Sequence, residues 1–396
     1  MLHRDFQGKQ LSMLGFGAMR LPLLEDKSID EAQVFQMVDY ALEHGINYFD
    51  TAYPYHGGLS EIILGRALAR HPRDSFYLAS KYPGHQPADR YDPASIFEEQ
   101  LDKCGVDHFD FYLLHNVSEF SIDVYMDPQW GILDYFLEQK RLGRIGHLGF
   151  SSHGGVENLE RFLDHCGQHM EFCQIQLNYL DWTLQDAKGK VELLASRGIP
   201  IWVMEPVRGG RLAKLDAGAE ERLKALRPGD SIASWAFRWL MSVPQPLPTV
   251  ILSGMSDMAQ MRDNVATFED GKGLSADGIV ALQDIAASMY DRLPCTACRY
   301  CCDGCPMGLD IPFLLGIYDE ARFAPSVTVG MRVESIPEDR QPAACIGCGA
   351  CVASCPQGID IPTHMQALAE LLEKTPKWRD ICRERAAAAE ALRKKR

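Results

Sequence analysis

A carboxylate and a phenol stand five residues apart, where an apolar run gives way to a loop rich in glycine and proline. Asp50 follows the apolar run at 46–49, and Tyr55 comes just before Gly57 and Gly58. A carboxylate and a phenol at one strand end can move protons if a cation lowers the pKa of the phenol. Alone, this pattern is weak evidence, because an aspartate at a strand end is about as often a helix cap or a turn former.

Two cysteine runs with identical spacing are the second candidate for chemistry. The chain has 13 cysteines, and eight of them lie beyond residue 290 in two copies of Cys-x2-Cys-x2-Cys-x3-Cys-Pro. This spacing is that of bacterial ferredoxins with two [4Fe–4S] clusters. Structural zinc, the alternative, usually pairs two CxxC or Cys/His groups and lacks the triple spacing and the trailing proline. The runs comprise Cys295, Cys298, Cys301 and Cys305, and Cys345, Cys348, Cys351 and Cys355.

The cysteine segment resembles a ferredoxin-like dicluster domain with an insertion between its halves. In such folds the fourth cysteine of each run ligates the other cluster. The repeat also extends over 305–312 and 355–362, and each copy ends in a predicted helix start with an aspartate near the cap and a proline in the first turn. The resemblance implies one cluster on Cys295, Cys298, Cys301 and Cys355, and another on Cys345, Cys348, Cys351 and Cys305.

The elements that must position Asp50 and Tyr55 follow a regular pattern. After a short predicted hairpin at 2–13, apolar runs alternate with helical spacing through eight strand–helix pairs in about 280 residues. Such alternation predicts a parallel sheet, and eight units predict a (β/α)8 TIM barrel; a doubly wound sheet is the alternative. The predicted strands lie at 11–18, 46–49, 76–80, 109–114, 145–150, 172–177, 199–203 and 249–252.

We therefore expect an α/β protein, a (β/α)8 TIM barrel followed by a small α-rich ferredoxin-like iron–sulfur domain. The expected segments are the barrel at 1–290, the dicluster domain at 291–376 and a basic helical tail at 377–396. The tail carries eight basic and three acidic residues. Its simplest interpretation is a solvated helix, and the alternative is a docking patch for an acidic electron carrier.

A barrel places its chemistry at the C-terminal ends of its strands. The second, third and fourth predicted strands end at Asp50, Lys81 and His115, and Tyr55 lies in the loop after the second. Each residue alone also has an ordinary structural interpretation. Four such residues at neighbouring strand ends are far less likely to arise by chance.

Residues 10–290 resemble the aldo/keto reductase family. The resemblance implies a tetrad in which Tyr55 is the general acid, Lys81 lowers its pKa, Asp50 holds Lys81, and His115 orients the substrate carbonyl. His56 and His153 are expected at most to line the pocket. The motifs that carry the resemblance are Gly15-Phe16-Gly17, Asp50-Thr51-Ala52 with Tyr55, Ser80-Lys81, Leu113-Leu114-His115, Gly149-Phe150-Ser151, Gln174 to Tyr179, and Pro206 with Gly209-Gly210.

The resemblance also implies a nicotinamide dinucleotide, with some departures from the family pattern. Ser151 and Gln176 would meet the carboxamide, while Met204 occupies the place of the usual stacking aromatic residue. The family often has basic residues for a 2′-phosphate where this chain has Gly254 and Gln260, so NADP(H) is favoured but NAD stays open. The implied cofactor-binding residues are Gly17, Ser151, Gln176, Met204, Arg208, Gly210, Gly254, Ser256, Gln260 and Asn264.

Composition excludes several other classes of protein. The net charge of −14 argues against a nucleic-acid surface. No apolar run reaches the roughly 18 residues that a membrane span needs, and residues 1–10 lack an apolar signal-peptide core. The expected location is therefore the cytoplasm.

Together these features predict an oxidoreductase that reduces a small carbonyl compound, or oxidises the alcohol, with a nicotinamide cofactor. Two [4Fe–4S] clusters would link it to ferredoxin or another one-electron carrier. Because a nicotinamide moves a hydride and a cluster moves single electrons, a flavin is not excluded. The alternatives are a plain NADP(H) reductase with structural clusters, and a non-catalytic electron-transfer or docking protein.

Overall fold

The computed structural model describes residues 1–395 and divides the chain into two compact units. Residues 1–283 and 385–396 group as one unit, and residues 284–384 form the other. This grouping differs from the three expected segments because the final part of the tail packs with the barrel rather than standing apart. Within residues 1–395, no helix is both long and apolar enough to cross a membrane.

The first unit opens with a hairpin and continues into a closed barrel of eight parallel strands. The hairpin strands are β1 (His3–Phe6) and β2 (Lys9–Ser12), paired antiparallel. The predicted strand at 11–18 is therefore split between the hairpin and the barrel. The barrel strands are β3 (Leu14–Gly17), β4 (Tyr48–Asp50), β5 (Tyr77–Tyr82), β6 (Phe109–Leu114), β7 (Ile145–Ser152), β8 (Cys173–Gln176), β9 (Ile201–Met204) and β10 (Val250–Ser253).

Helices follow the barrel strands and confirm the (β/α)8 expectation. The helix at 93–104 begins with Asp92 accepting a hydrogen bond from the Ser95 N–H and has Pro93 in its first turn. The helices that start in this unit are α1 (Glu31–Glu43), α2 (Leu59–Leu68), α3 (Pro93–Cys104), α4 (Ile122–Met126), α5 (Ile132–Arg141), α6 (Val156–Cys166), α7 (Asp181–Leu184), α8 (Ala187–Ser196), α9 (Ala217–Leu226), α10 (Ile232–Leu240), α11 (Met258–Asp270) and α12 (Ala276–Ser288).

Aromatic side chains fill the N-terminal end of the barrel. Phe6 of the hairpin lies 5.8 Å from Phe111 and 5.0 Å from Trp202, measured between ring centroids. Phe111 and Trp202 are fully buried, together with Tyr48 and Phe172. The hairpin therefore closes this end, and any reacting molecule must enter at the C-terminal ends of the strands.

The second unit is helical and internally repeated. Helices α14 and α17 begin directly after Asp310 and Asp360, with Pro312 and Pro362 in the first turn, as the sequence predicts. Their inner faces share one hydrophobic core that includes Leu314, Ile361 and Met365. The helices of this part of the chain are α13 (Tyr300–Asp303), α14 (Ile311–Phe323), α15 (Val327–Glu334), α16 (Ala350–Ala353), α17 (Ile361–Glu373) and α18 (Trp378–Lys395).

Candidate active site and cysteine cavities

An ion pair lies at the C-terminal ends of β4 and β5. Nζ of Lys81 donates to Oδ1 of Asp50 over 2.5 Å and to the Thr51 carbonyl over 2.7 Å, and both side chains are buried. Burial favours the neutral amine, but the charge of Asp50 outweighs it and raises the pKa of Lys81. Lys81 is therefore a fixed cation inside the barrel.

Tyr55 stands over this cation. Nζ of Lys81 lies 5.1 Å from the centroid of the Tyr55 ring. Burial raises the pKa of Tyr55, and the positive charge of Lys81 opposes that rise. The phenol is thus protonated at neutral pH, and the neighbouring cation stabilises the phenolate that forms when it gives up its proton.

His115 joins the group from the end of β6. Its ring lies 5.7 Å from that of Tyr55 in an edge-on arrangement. Burial lowers the pKa of His115 far below its ordinary value, so the imidazole is neutral and can hydrogen-bond a carbonyl oxygen. The structure therefore brings together all four predicted catalytic residues.

His85 was not predicted from the sequence. Its ring centroid lies 4.3 Å from that of His115, and burial lowers the pKa of His85 to about 3. Tyr125 also belongs here, because its hydroxyl donates to the backbone carbonyls of Tyr82 and His115. The sequence offered one signal for His85, which is its position four residues after Lys81. That signal was insufficient, because only the turn of the loop after β5 brings His85 back to His115.

A buried polar network holds the strand that carries Lys81. Oε1 of Glu61 accepts hydrogen bonds of 2.6 Å from Ser80 and from Gln100. The Gln100 amide also donates to the Lys81 carbonyl over 3.1 Å, and Lys103 pairs with Glu61 at 2.5 Å. Helices α2 and α3 thereby fix the backbone at Lys81 from outside the barrel.

The residues expected at the nicotinamide carboxamide make contacts within the protein. The Ser151 hydroxyl accepts the Asn116 N–H over 2.8 Å and retains its own proton to donate. The Gln176 amide donates to Asp181 over 2.8 Å, and its oxygen lies 3.2 Å from Nδ1 of His153. Of these two residues, Ser151 is the better placed to bind a further amide.

Gln174 is a candidate that the sequence analysis missed. Its Nε2 lies 3.6 Å from Sδ of Met204, and its Oε1 is buried without a hydrogen-bond partner among the described residues. An unsatisfied buried acceptor beside the expected stacking position fits the amide group of a nicotinamide. Strand periodicity could have indicated Gln174, since residues 174 and 176 share one face of β8.

The loops after β3, β9 and β10 meet around Arg20, which the sequence analysis also missed. A Cβ on Gly209 would lie 3.2 Å from Nη2 of Arg20, and one on Gly254 would lie 3.2 Å from Cβ of Arg20. Gly209 and Gly210 have positive φ values of 64° and 95°. A guanidinium beside such backbone turns fits a pyrophosphate, so Arg20 is a cation available to a dinucleotide.

The remaining predicted cofactor residues are distributed along the same rim. Arg208 is buried and pairs with Asp181, so it supports the loop after β9. Gly17 faces the Ser253 carbonyl, and Asn264 donates to the Ser253 hydroxyl over 2.9 Å. The Ser256 hydroxyl donates to the Arg20 carbonyl, and Asp257 caps α11 by accepting the Gln260 N–H. Gly254, Ser256 and Gln260 lie close together, whereas Gln176 and Arg208 meet at Asp181.

The eight cysteines of the two repeated runs surround two cavities in the second unit. One cavity of about 340 Å³ is lined by Cys345, Cys348, Cys351 and Cys305. The other, of about 310 Å³, is lined by Cys295, Cys298, Cys301 and Cys355. In residues 1–395 no three His, Cys, Asp or Glu side chains converge closely enough to hold a single metal ion. Each cavity thus gathers the ligand set that the ferredoxin resemblance implies, with the fourth cysteine crossing over.

The backbone repeats its unusual conformations around both cavities. Ala297 and Arg299 have positive φ values of 54° and 67°, and the equivalent residues Gly347 and Gly349 have 68° and 75°. Non-glycine residues rarely adopt such angles, so the backbone at Ala297 and Arg299 is strained. Despite this strain, the first run has the same backbone conformation as the second. Turns of this kind point amide N–H groups inward, which suits an anionic cluster.

Each of the two parts of the chain matches a known protein family. The model for the "Aldo/keto reductase family" matches residues 13–286, and that for a "4Fe-4S dicluster domain" matches residues 294–359. The solved aldo-keto reductase AKR11C1 from Bacillus halodurans is 26% identical, with a TM-score of 0.57, over 70% of this chain and 93% of its own.

Relatives of established or assigned class are similar over the barrel. The uncharacterized oxidoreductase YrpG of Bacillus subtilis is 24% identical over 303 residues, which are 66% of this chain and 89% of YrpG. The NADH-specific methylglyoxal reductase of Escherichia coli is 25% identical over 270 residues, which are 57% of this chain and 79% of that enzyme. The chain is therefore an oxidoreductase that belongs to the aldo/keto reductase family and carries a 4Fe-4S dicluster domain.

Proposed function

We propose that this oxidoreductase reduces a small carbonyl compound, or oxidises the corresponding alcohol, with a nicotinamide cofactor, and exchanges single electrons through two [4Fe–4S] clusters. The observation that carries the proposal is the buried Lys81–Asp50 ion pair beside Tyr55 and neutral His115. A fixed cation, a phenolic proton and a neutral imidazole at adjoining strand ends can bind and protonate a carbonyl oxygen.

The chain's own residues perform the proton half of the reaction. A bound nicotinamide would supply or accept the hydride, and the clusters would carry single electrons. Tyr55 donates its phenolic proton to the substrate oxygen, and the charge of Lys81 stabilises the phenolate. His115 hydrogen-bonds the same oxygen and orients it. In alcohol oxidation Tyr55 takes the proton back.

Residues on the barrel rim fit a nicotinamide dinucleotide. The Ser151 hydroxyl and the unsatisfied Gln174 oxygen would hold the carboxamide, and Arg20 with Gly209 and Gly210 would hold the pyrophosphate. Ser256 and Gln260 would lie at the adenosine end. We favour NADP(H) over NAD because Arg20 lies beside Gly254, where the family often has a basic residue.

The eight cysteines would hold the two clusters in the crossed arrangement described above. Since a hydride carries two electrons and a cluster takes one, exchange between them needs a flavin or a partner that handles both. A bound flavin could fill that role between nicotinamide and clusters, and we propose ferredoxin or a similar one-electron carrier as the partner that exchanges electrons with the clusters. Among the described residues no disulfide joins any of the 13 cysteines, which fits a reducing compartment such as the cytoplasm.

A reductase with structural clusters is the second candidate. It is favoured by the position of Cys301 and Cys351 in the hydrophobic core of their own unit, where loss of a cluster would disturb the packing. In that case the clusters would retain the fold without exchanging electrons with the barrel.

One anaerobic experiment addresses both proposals. NADPH is added to protein with both clusters intact while cluster absorbance, EPR signal and reduction of an aldehyde panel are followed. We expect Tyr55→Phe to abolish carbonyl reduction, whereas Tyr77→Phe, at the start of β5, should retain it. Equal activity in Tyr55→Phe and the wild type would contradict the proposed role of Tyr55.

The cluster signals then separate the two candidates. Bleaching on the timescale of turnover would support electron exchange between nicotinamide and clusters. Clusters that respond to dithionite but never to NADPH, with carbonyl reduction intact, would favour the structural role.

A further inference from the structure

The last helix lies against the loop that carries Tyr55. Along the end of α18, Arg385, Ala389 and Leu392 are half-buried, while most residues between them are exposed. Their spacing of four and three residues places them on one stripe of the helix. This stripe faces the barrel, and residues 385–395 belong to the barrel's compact unit.

Two glycines form the surface on which this helix rests. A Cβ on Gly57 would lie 3.4 Å from Cβ of Ala388, and one on Gly58 would lie 3.4 Å from Cδ2 of Leu392. Both glycines have positive φ values and directly follow Tyr55 and His56 in the loop. Their lack of side chains lets the helix approach the catalytic loop closely.

The far end of the helix is held by polar contacts. The Arg393 guanidinium donates to the Tyr53 hydroxyl over 2.7 Å and, through Nε, to Oε2 of Glu99 over 2.9 Å. Arg385 lies eight residues earlier, about 12 Å back along the axis at 1.5 Å per residue. Because Leu392 meets Gly58 and Ala388 meets Gly57, the helix runs toward Tyr55 as it is followed back to Arg385.

The charge of Arg385 acts on the reaction centre. Burial is the main cause of the raised pKa of Tyr55 and of the lowered pKa values of His85 and His115, and the positive charge of Arg385 further lowers the pKa of all three groups. Lys81 is already balanced by Asp50. Arg385 has an interaction of its own within the protein, and its positive charge lies near side chains that are themselves neutral.

We propose that Arg385 binds a carboxylate of the substrate, so that the reductase acts on 2-oxo acids or the corresponding hydroxy acids. This inference rests on the function proposed above and specifies its substrate class. A guanidinium presents five N–H donors in a planar fork that matches a carboxylate, and it can serve several acceptors at once. The carbonyl next to that carboxylate would then reach Tyr55 and His115.

The test compares an acid with its neutral ester. Reduction of phenylglyoxylate and methyl phenylglyoxylate is measured with the intact protein, with Arg385→Gln and Arg385→Lys, and with Arg383→Gln as the matched control. Arg383 lies two residues earlier, is exposed and pairs with Asp380. We expect Arg385→Gln to lower kcat/KM for the acid roughly ten- to a hundredfold and for the ester less than about twofold. Arg385→Lys should retain part of the preference, and Arg383→Gln all of it.

Other outcomes would overturn the inference. A wild-type preference for the ester, an equal loss on both substrates, or a dependence on Arg385 seen with glyceraldehyde 3-phosphate but not with the acid would each do so. If neither carbonyl is reduced, the reductase proposal fails, and calorimetry with phenylglyoxylate alone decides the role of Arg385. Weaker binding in Arg385→Gln than in Arg383→Gln would still support it, and equal binding would refute it.

Discussion

Nζ of Lys81 and Oδ1 of Asp50 are 2.5 Å apart inside the barrel, and both side chains are buried. The two residues come from adjacent parallel strands, whose register pairs Asp50 with Ala79, two residues before Lys81. A buried ion pair adds little net stability. Removing one partner is nevertheless strongly destabilising, because it leaves the other charge buried and unpaired in a medium of low dielectric constant. The pair therefore links the stability of the barrel to its chemistry.

Asp50→Asn should destabilise the protein by about 3–5 kcal/mol and abolish carbonyl reduction, because Lys81 loses its counter-ion. Urea unfolding of the intact protein measures the first effect and an aldehyde assay the second. Asp39→Asn is the control, since Asp39 pairs with Arg70 on the surface and should cost at most about 1 kcal/mol. Similar losses in the two variants would show that the buried pair has no special role.

His85→Gln should make the stability of the protein less sensitive to pH. Burial lowers the folded-state pKa of His85 to about 3 from an ordinary value of 6.5, so the unfolded chain binds a proton that the folded chain does not. Its stabilising contribution is complete above pH 6.5 and is lost progressively as the pH falls toward 3. Between pH 7 and 5 the wild type should lose about 2 kcal/mol more than His85→Gln.

The measurement is the free energy of unfolding at these two pH values, with both clusters intact. His165→Gln, at an exposed position, controls for replacing a histidine. An identical loss of stability in His85→Gln and the wild type would mean that the imidazole takes up its proton without unfolding.

The effect of a cysteine substitution on the clusters should depend on which cavity the cysteine lines, not on which sequence run it belongs to. Cys305 and Cys348 line the same cavity, so Cys305→Ser and Cys348→Ser should leave the same residual EPR spectrum. Cys355 and Cys298 line the other cavity, so Cys355→Ser and Cys298→Ser should share a second, different spectrum. Each should lose about half of the roughly eight iron atoms that two [4Fe–4S] clusters contain. Cys302→Ser, outside both cavity linings, should retain them. If Cys305→Ser instead matched Cys298→Ser, the crossed arrangement would be wrong.

Arg393→Leu should loosen the end of α18. It removes the bonds to Tyr53 and Glu99, which together are worth about 1 kcal/mol at this partly exposed position. Amide hydrogen exchange at 385–394 should then rise roughly fivefold, with a smaller rise at 53–58. Lys394→Leu, which removes a pair with Glu390 inside the same helix, should change exchange much less. Equal rises in both variants would assign the effect to general fraying.

Patterns along the chain were enough to predict the barrel, while the catalytic roles of the four residues came from the family resemblance and stay a prediction. The strand at 109–114 is observed at its predicted bounds, because a continuous apolar run is a local signal. Asp50, Lys81 and His115 meet because parallel strands bring their C-terminal ends to one rim. No further information was needed to place them together.

Contacts between distant loops could not be predicted in the same way. Arg20 meets Gly209 and Gly254 through three separate loops, and Arg385 reaches the surroundings of Tyr55 through a helix at the other end of the chain. The spacing of residues within one segment does not predict contacts between distant segments. The family resemblance placed residue 176 at the carboxamide, and strand periodicity cannot separate it from residue 174 because both share one face of β8. Only the contact of Gln176 with Asp181 distinguishes them.

The path of the chain connects the Arg385 helix to the segment that holds the cysteines. The chain leaves the barrel unit after residue 283 and rejoins it at residue 385. If loss of the clusters unfolds the intervening segment, that segment becomes a flexible loop of roughly a hundred residues, whose closure costs about 4 kcal/mol of chain entropy. The contact of the Arg385 helix with the barrel would then weaken, while the parallel strands would still hold Asp50 beside Lys81.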